Sequence, residues 1–343
     1  MKLKLTAILL SLALFMGCSQ SPETAQSPVS SVSDREFSSE IFAMDTVMDL
    51  KMYGTNNLAL KKAETEINRL DALFAKTNEK SDIYRINHGE TENISAETLD
   101  LVSSALETGK STNGAFDITV APVTEAWGFT DEQYRVPTAE EIAAALEKVG
   151  YDRVKIKDNT IEKPDDMLID LGGIAKGYTS DRVIDIFRQN GINSAIVSLG
   201  GNVQTLGTKP DGSKWKIGIQ NPETDEEHPF IGVLAVNEKA VITSGGYQRF
   251  FEQDGKIYHH IIDPKTGCPA ESGVISATIV ANSGRLADGL STALYVMGLE
   301  KAKEYQKSSQ NFDFIIQTSD KKIYITKGLE NDFTSEFEYE IIE

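Results

Sequence analysis

Asp288, Ser291 and Thr292 fall at i, i+3 and i+4 in the run Asp288-Gly289-Leu290-Ser291-Thr292. On a helix that spacing stacks a carboxylate and two hydroxyls on or near one face. The set is all oxygen and suits Mg2+, which takes one or two carboxylates and completes its shell with water and substrate phosphates. An Asp near a helix start, answering the macrodipole, is the competing account. A second run, Asp170-Leu171-Gly172-Gly173-Ile174-Ala175-Lys176-Gly177-Tyr178, leads into a helix. Glycines there leave backbone groups bare for a ligand, and Lys176 adds a point charge suited to phosphate. Neither the GxxxxGK[ST] nor the GxGxxG spacing is present. A strand-to-helix turn whose glycines serve geometry alone would read the same way.

Two further segments carry reactive side chains. Gly114-Ala115-Phe116-Asp117-Ile118-Thr119 sets an aromatic ring beside a small residue and a carboxylate, which suits the edge of a planar heterocycle. Phe116 as plain core is the ordinary alternative. Tyr258-His259-His260-Ile261-Ile262-Asp263-Pro264-Lys265-Thr266-Gly267 holds two of the chain's four histidines. Neighbours on a strand point to opposite faces, so only one of them can face a given site. No further His or Cys stands at zinc spacing, and a hydrogen-bonded structural imidazole accounts for either ring.

The elements that must position these groups are legible from periodicity. Leu60, Ala63, Ile67, Leu70 and Phe74 are spaced for one face of a helix, and Leu99, Val102 and Leu106 mark another. Thr138 and Glu141 form a capping-box start for a helix through Leu146. A helix from about Ile174 to Asn190 stops at Gly191. A last pair, Leu286 to Met297 and Leu299 to Tyr305, is divided by Gly298. Short β-rich runs cover Ser194–Leu199, Trp215–Ile219, Ile231–Val236, Val241–Thr243, Tyr258–Ile262, Val274–Val280, Phe312–Gln317 and Ile323–Ile325. Their crowding between residues 194 and 280, with few helices among them, predicts an α+β fold with antiparallel sheet flanked by helices.

The 343-residue chain has a net charge of −18, which argues against a nucleic-acid surface and against docking on anionic lipid. Leu5 to Gly17 is apolar, follows Lys2 and Lys4, and is too short to span a bilayer, so it fits a signal-peptide core. Leu14-Phe15-Met16-Gly17-Cys18 is similar to a lipobox, with Phe15 where Leu is usual. The expected organisation is a lipoprotein signal peptide over 1–17, a lipidated Cys18 with a Ser- and Pro-rich tether over 18–36, and one catalytic body over 37–343. With Cys18 carrying lipid, Cys268 has no disulfide partner. A lone cysteine just after a turn is most often incidental.

Taken in order, and with Met44-Asp45-Thr46, Ser198-Leu199-Gly200-Gly201-Asn202 and Thr243-Ser244-Gly245-Gly246-Tyr247, these segments resemble the ApbE family, the FAD:protein FMN transferases. The resemblance implies an ApbE-like fold and Mg-dependent transfer of FMN from FAD to a Ser or Thr hydroxyl of exported or membrane-bound redox proteins, with AMP released. It implies that Met44 lines the flavin site, although Asp45 stands where the family usually has glycine. It further implies that Ala115, Phe116 and Asp117 contact FAD, that Asp170 and Lys176 bind the nucleotide, and that Ile262 packs near it. For magnesium it implies the Gly173 carbonyl with Asp288 and Thr292, and Ser291 as an additional donor. His260 occupies the position of the family's histidine, and either His260 or Asp288 would be the base. Asn78, in Thr77–Ile83, matches a loop that separates FAD-keeping from FAD-hydrolysing members and points to the hydrolysing type. The alternatives are a Mg-dependent FAD pyrophosphatase yielding FMN and AMP, and a non-catalytic flavin-binding lipoprotein. The implied location is outside the cytoplasm, lipid-anchored to the cell membrane and facing the periplasm or the cell exterior.

Overall fold

The computed structural model describes residues 35–223 and 227–343. The expected signal peptide, Cys18 and nearly all of the tether lie outside the described residues. The first strand begins at Arg35, two residues ahead of the Phe37 expected for the body. No helix among the described residues is long and apolar enough to cross a membrane.

A nine-stranded sheet forms the frame, and its strands lie side by side in the order in which they occur in the chain. They are β1 (Arg35–Ala43), β2 (Thr46–Gly54), β3 (Ser194–Leu199), β4 (Asn202–Leu206), β5 (Ala240–Gly245), β6 (Val274–Ala281), β7 (Phe312–Thr318), β8 (Ile323–Thr326) and β9 (Tyr339–Ile342). Every neighbouring pair is antiparallel except β8 and β9. Eight helices accompany it among the described residues: α1 (Leu58–Phe74), α2 (Asp82–Asn87), α3 (Ala96–Ser111), α4 (Ala121–Ala126), α5 (Ala139–Leu146), α6 (Ala175–Gln189), α7 (Gly284–Met297) and α8 (Leu299–Ser309). The α+β reading with antiparallel sheet holds.

The alternation of β2 and β3 decides which layer each face meets. Met48, Leu50 and Met52 of β2, with Val197 and Leu199 of β3, pack under α1 and α6 against Ile67, Val183 and Phe187. Further along, Ile242, Ala277, Ile279 and Phe314 pack under α7 with Leu290 and Leu294. The opposite face carries Val241, Val280 and Ile315, covered by a small three-stranded sheet whose strands include Trp215–Gln220 and Phe230–Val236. At about 25 cal/mol per Å2 of apolar area, two such faces supply the main driving force for folding.

The hairpin of β1 and β2 is absent from the sequence-based expectations. Its two-residue turn is Met44-Asp45, with φ of 49° and 58°, and Ala43 pairs directly with Thr46. A two-residue turn of this kind needs both central residues at positive φ. Aspartate tolerates that region, so Asp45 keeps the turn tight where the family usually has glycine. The run Tyr258–Ile262 is not one strand. It divides at His260 into Lys256–His259, paired with Phe250–Gln253, and Ile262–Asp263, paired with Cys268–Pro269. The helix over Ala139–Leu146 does carry its capping box, with Thr138 accepting from the Glu141 amide and Glu141 from the Thr138 amide.

α6 and α7 meet at backbone contact. A Cβ on Gly177 would lie 2.2 Å from the Gly284 carbonyl oxygen, and one on Gly284 would lie 2.4 Å from the Gly177 carbonyl oxygen. Asp181 of α6 locks the crossing by capping α7: its carboxylate accepts from the Gly284 amide (2.6 Å), the Arg285 amide (3.1 Å) and the Ser283 hydroxyl (2.8 Å). A carboxylate there also answers the positive end of the α7 dipole. Gly177→Ala should therefore destabilise the protein by about 1–3 kcal/mol through overpacking, despite the helix propensity gained. Urea unfolding would measure it, and an unchanged midpoint would show that the helices have room to spare.

Candidate active site

The site lies where one end of the sheet meets the starts of α6 and α7. The turn between β3 and β4, the end of β5 and the β1–β2 turn all reach this end. Asp288 stands on the second turn of α7 and is almost fully buried. Its Oδ2 accepts from the Gly177 amide of α6 (2.8 Å) and its Oδ1 from the Asn202 side-chain amide at the start of β4 (2.9 Å). The carboxylate is thus clamped from two elements, with lone pairs left on each oxygen.

The two hydroxyls of the motif are beside it. Ser291 Oγ donates to the Asp288 carbonyl (2.8 Å) and lies 2.7 Å from Ser244 Oγ at the end of β5. Ser244 Oγ is also 3.2 Å from Thr292 Oγ1. Gly173, in the turn before α6, faces the same place. A Cβ built on it would sit 4.0 Å from Thr292 Oγ1 and 3.0 Å from the edge of the Phe116 ring. Phe116, Gly173, Asp288, Ser291 and Thr292 therefore converge. The side-chain donors here are one carboxylate and hydroxyls, hard oxygens of the kind that fits magnesium. Among the described residues no cluster of three or more His, Cys, Asp or Glu side chains could hold a metal. A cation here would have to complete its shell with water and phosphate.

The glycine turn is organised by Asp170, which accepts from the Gly172 amide (2.8 Å) and pairs with Lys76 (2.6 Å) from the end of α1. Lys176 makes no hydrogen bond or ion pair among the described residues. Burial is the main cause that lowers the His260 imidazole, to about 4, and the nearby charges of His259, Arg249 and, least, Lys176 push the same way. His260 Nδ1 lies 3.0 Å from the Arg249 carbonyl. A carbonyl cannot donate, so Nδ1 carries the proton and Nε2 is the free base. His259 points elsewhere, with Nε2 3.3 Å from the Tyr295 hydroxyl, and burial lowers its pKa too.

Other expected residues face inward or serve their own turns. Met44 reaches α6, with its sulfur 3.8 Å from the Thr179 hydroxyl. Asp117 is buried, which raises its pKa. Its oxygens accept from the Thr119 amide and hydroxyl (2.8 and 2.6 Å) and from the Tyr151 amide (2.9 Å). It orders the loop that presents Ala115 and Phe116. Ile262 is buried with Val123, Trp127 and Phe129. Asn78 spends its side chain on its own turn, donating to the Ala72 carbonyl and accepting from the Lys80 amide. Burial raises the free Cys268 thiol, which keeps it protonated. Asn202, Ser244 and Lys76 are site residues without a signal of their own in the sequence: the first two lie inside glycine-rich runs, and Lys76 follows an ordinary helix end.

The ApbE family model matches residues 44–316, and so covers every site residue from Met44 to Thr292. The chain belongs to the ApbE family. Among curated relatives, the FAD:protein FMN transferase of Salmonella typhimurium is 33% identical over 303 residues, 85% of each chain. That of Vibrio cholerae is 35% identical over 278 residues, 78% of this chain and 83% of the relative. Among solved structures, the ApbE protein from Thermotoga maritima superposes with a TM-score of 0.80 at 33% identity, covering 87% of this chain and 99% of the other. The flavin transferase ApbE from Vibrio cholerae gives 0.78 at 29%, with the same coverage.

In this ApbE-family chain Asp288→Asn should be destabilising although it preserves shape. Two donors converge on the carboxylate, and an amide can accept only one of them. The orphaned donor costs about 1–3 kcal/mol. A chemical denaturation series on wild type and variant measures this, and equal stabilities would mean that the two clamping bonds do not form in solution.

Proposed function

We propose that this protein transfers FMN from FAD to a Ser or Thr hydroxyl of a protein acceptor and releases AMP, with magnesium as cofactor. The observation that carries the reading is the convergence of Asp288, Thr292 and Gly173, with Lys176 next to the Gly177 that donates to Asp288, in a chain whose family and relatives are flavin transferases. The acceptor oxygen attacks the phosphorus next to riboflavin, the bond to the bridging oxygen breaks, and AMP leaves with the electron pair. Asp288, Thr292 and the Gly173 carbonyl would hold the magnesium, which neutralises pyrophosphate charge when bound. Lys176 supplies a cation for phosphate at the start of α6. The neutral Nε2 of His260 is available for the acceptor hydroxyl's proton, whereas both Asp288 oxygens already accept hydrogen bonds. Phe116, held against Gly173, gives the flavin nucleotide an apolar wall.

We further propose that residues 1–17 direct export, that Cys18 carries the lipid, and that the acceptors are exported or membrane-bound redox proteins. The support is the composition of Leu5–Gly17 and the Leu14–Cys18 run. Mass spectrometry of the mature N-terminus should find an acylated Cys18.

Incubation with FAD, Mg2+ and an acceptor domain should yield a covalently fluorescent acceptor and AMP in equal amounts. Asp288→Ala should cut both by at least about 100-fold. AMP formed as fast without acceptor would instead mark a pyrophosphatase, and bound FAD without AMP or labelled acceptor a flavin-binding protein.

The lowered His260 pKa fixes a sign. The imidazole is neutral when folded and takes a proton in the unfolded chain below about 6.5. Its contribution to stability is present above that value and is lost as pH falls towards about 4. His260→Gln should flatten this part of the stability profile in thermal melts across the range. A profile identical to wild type would place the titration elsewhere.

A further inference from the structure

Three hydroxyls stand in a row between β5 and α7: Thr292, Ser244 and Ser291. Each has a single proton to give and two lone pairs to receive with. The contacts leave only one arrangement of those protons. Ser291 Oγ lies 2.8 Å from the Asp288 carbonyl, which can only accept, so the Ser291 proton is committed there. The 2.7 Å contact between Ser291 and Ser244 must then be a donation from Ser244. With its proton spent, Ser244 can only accept at the 3.2 Å contact with Thr292, so Thr292 donates to Ser244. The row runs Thr292 to Ser244 to Ser291 to the Asp288 carbonyl, and its direction is imposed from the far end.

We propose that Ser244 is a positioning residue that makes Thr292 Oγ1 a pure acceptor towards the site. The Thr292 proton points back into the sheet, and its lone pairs are left for the space shared with Gly173 and Asp288. A hydroxyl that ligates a cation must present lone pairs, and a proton turned the other way would repel the ion. Ser244 belongs to β5, whereas Thr292, Ser291 and Asp288 all belong to α7. The pairing of β5 with β6 (Ser244 opposite Ala277) therefore sets the angle of a group on the helix above it. Asn202 on β4 plays the matching part for the other ligand, because its amide fixes Asp288 Oδ1. Partners of this kind behind a ligand change metal affinity by about 10–100-fold.

The inference rests on the magnesium reading above, and the test separates the two. Mn2+, as a spectroscopic substitute for Mg2+, is titrated into the full chain with and without FAD and followed by electron paramagnetic resonance. Ser244→Ala should weaken Mn2+ binding about 10–100-fold, with near-native circular dichroism and a similar melting temperature. Ser244→Thr, which keeps a hydroxyl at the same place, should restore it. If alanine fails to fold, Ser244→Cys keeps the volume with a much weaker donor, and should show intermediate affinity in folded protein. Wild-type affinity in Ser244→Ala, or in a folded Ser244→Cys, would overturn the role of Ser244 and leave the metal site standing. Wild type that binds no Mn2+ under either condition would overturn both.

Discussion

The contact between α6 and α7 at Gly177 and Gly284 is the constraint on which the site depends. Two helices with ordinary side chains at the crossing stay apart by 8–10 Å. Here neither glycine has a Cβ, and each would drive one into the other's carbonyl. The approach brings the Gly177 amide, in the first turn of α6, within 2.8 Å of the Asp288 carboxylate. A backbone donor at a helix start thereby finds its partner on another helix, and a buried carboxylate is stabilised by the same bond. Asp181 holds the crossing from below by capping α7, so the two helices are tied in both directions by carboxylates of opposite ownership.

The sheet supplies what the helices cannot. β4 begins and β5 ends beneath α7, and each delivers one polar side chain to it, Asn202 and Ser244. Because the strands follow one another across the sheet in chain order, the tight turns of β1–β2 and β3–β4 fall at the same end. Gly200 makes that crowding tolerable. At φ of 61° it lies so close to Thr46 that a Cβ would meet the Thr46 hydroxyl at 2.5 Å. The site is thus framed by short turns whose geometry is set by strand pairing.

Charge is arranged around this frame in a way that bulk composition hides. The chain is strongly acidic, yet Lys176 at the start of α6 makes no ion pair among the described residues, and Lys76 offsets Asp170 at the glycine turn. An anionic nucleotide bound here, as proposed, would meet local cations and a hard-oxygen set on a molecule of the same overall sign. Long-range repulsion is screened within about 8 Å at physiological ionic strength, so the local pattern decides binding.

The helices were legible because a 3.6-residue period is a local property, and α1, α3, α5, α6, α7 and α8 all lie where spacing and caps put them. The antiparallel character followed from short β-rich runs, and the oxygen set of Asp288, Ser291 and Thr292 from i, i+3, i+4 spacing alone. The β1–β2 hairpin was not legible, since its turn carries two non-glycine residues at positive φ. Nor was the break at His260, where two short pairings compete within one β-rich run. Family membership could be read from ordered motifs. What only the tertiary structure decided was the partner of each polar atom: Gly177 for Asp288 across 111 residues, Asn202 across 86, and Ser244 for Ser291 across 47. Periodicity tells which face a side chain is on. Which donor meets it, and so which way a hydroxyl proton points or which imidazole nitrogen is bare, depends on helix approach and strand register between segments distant in sequence.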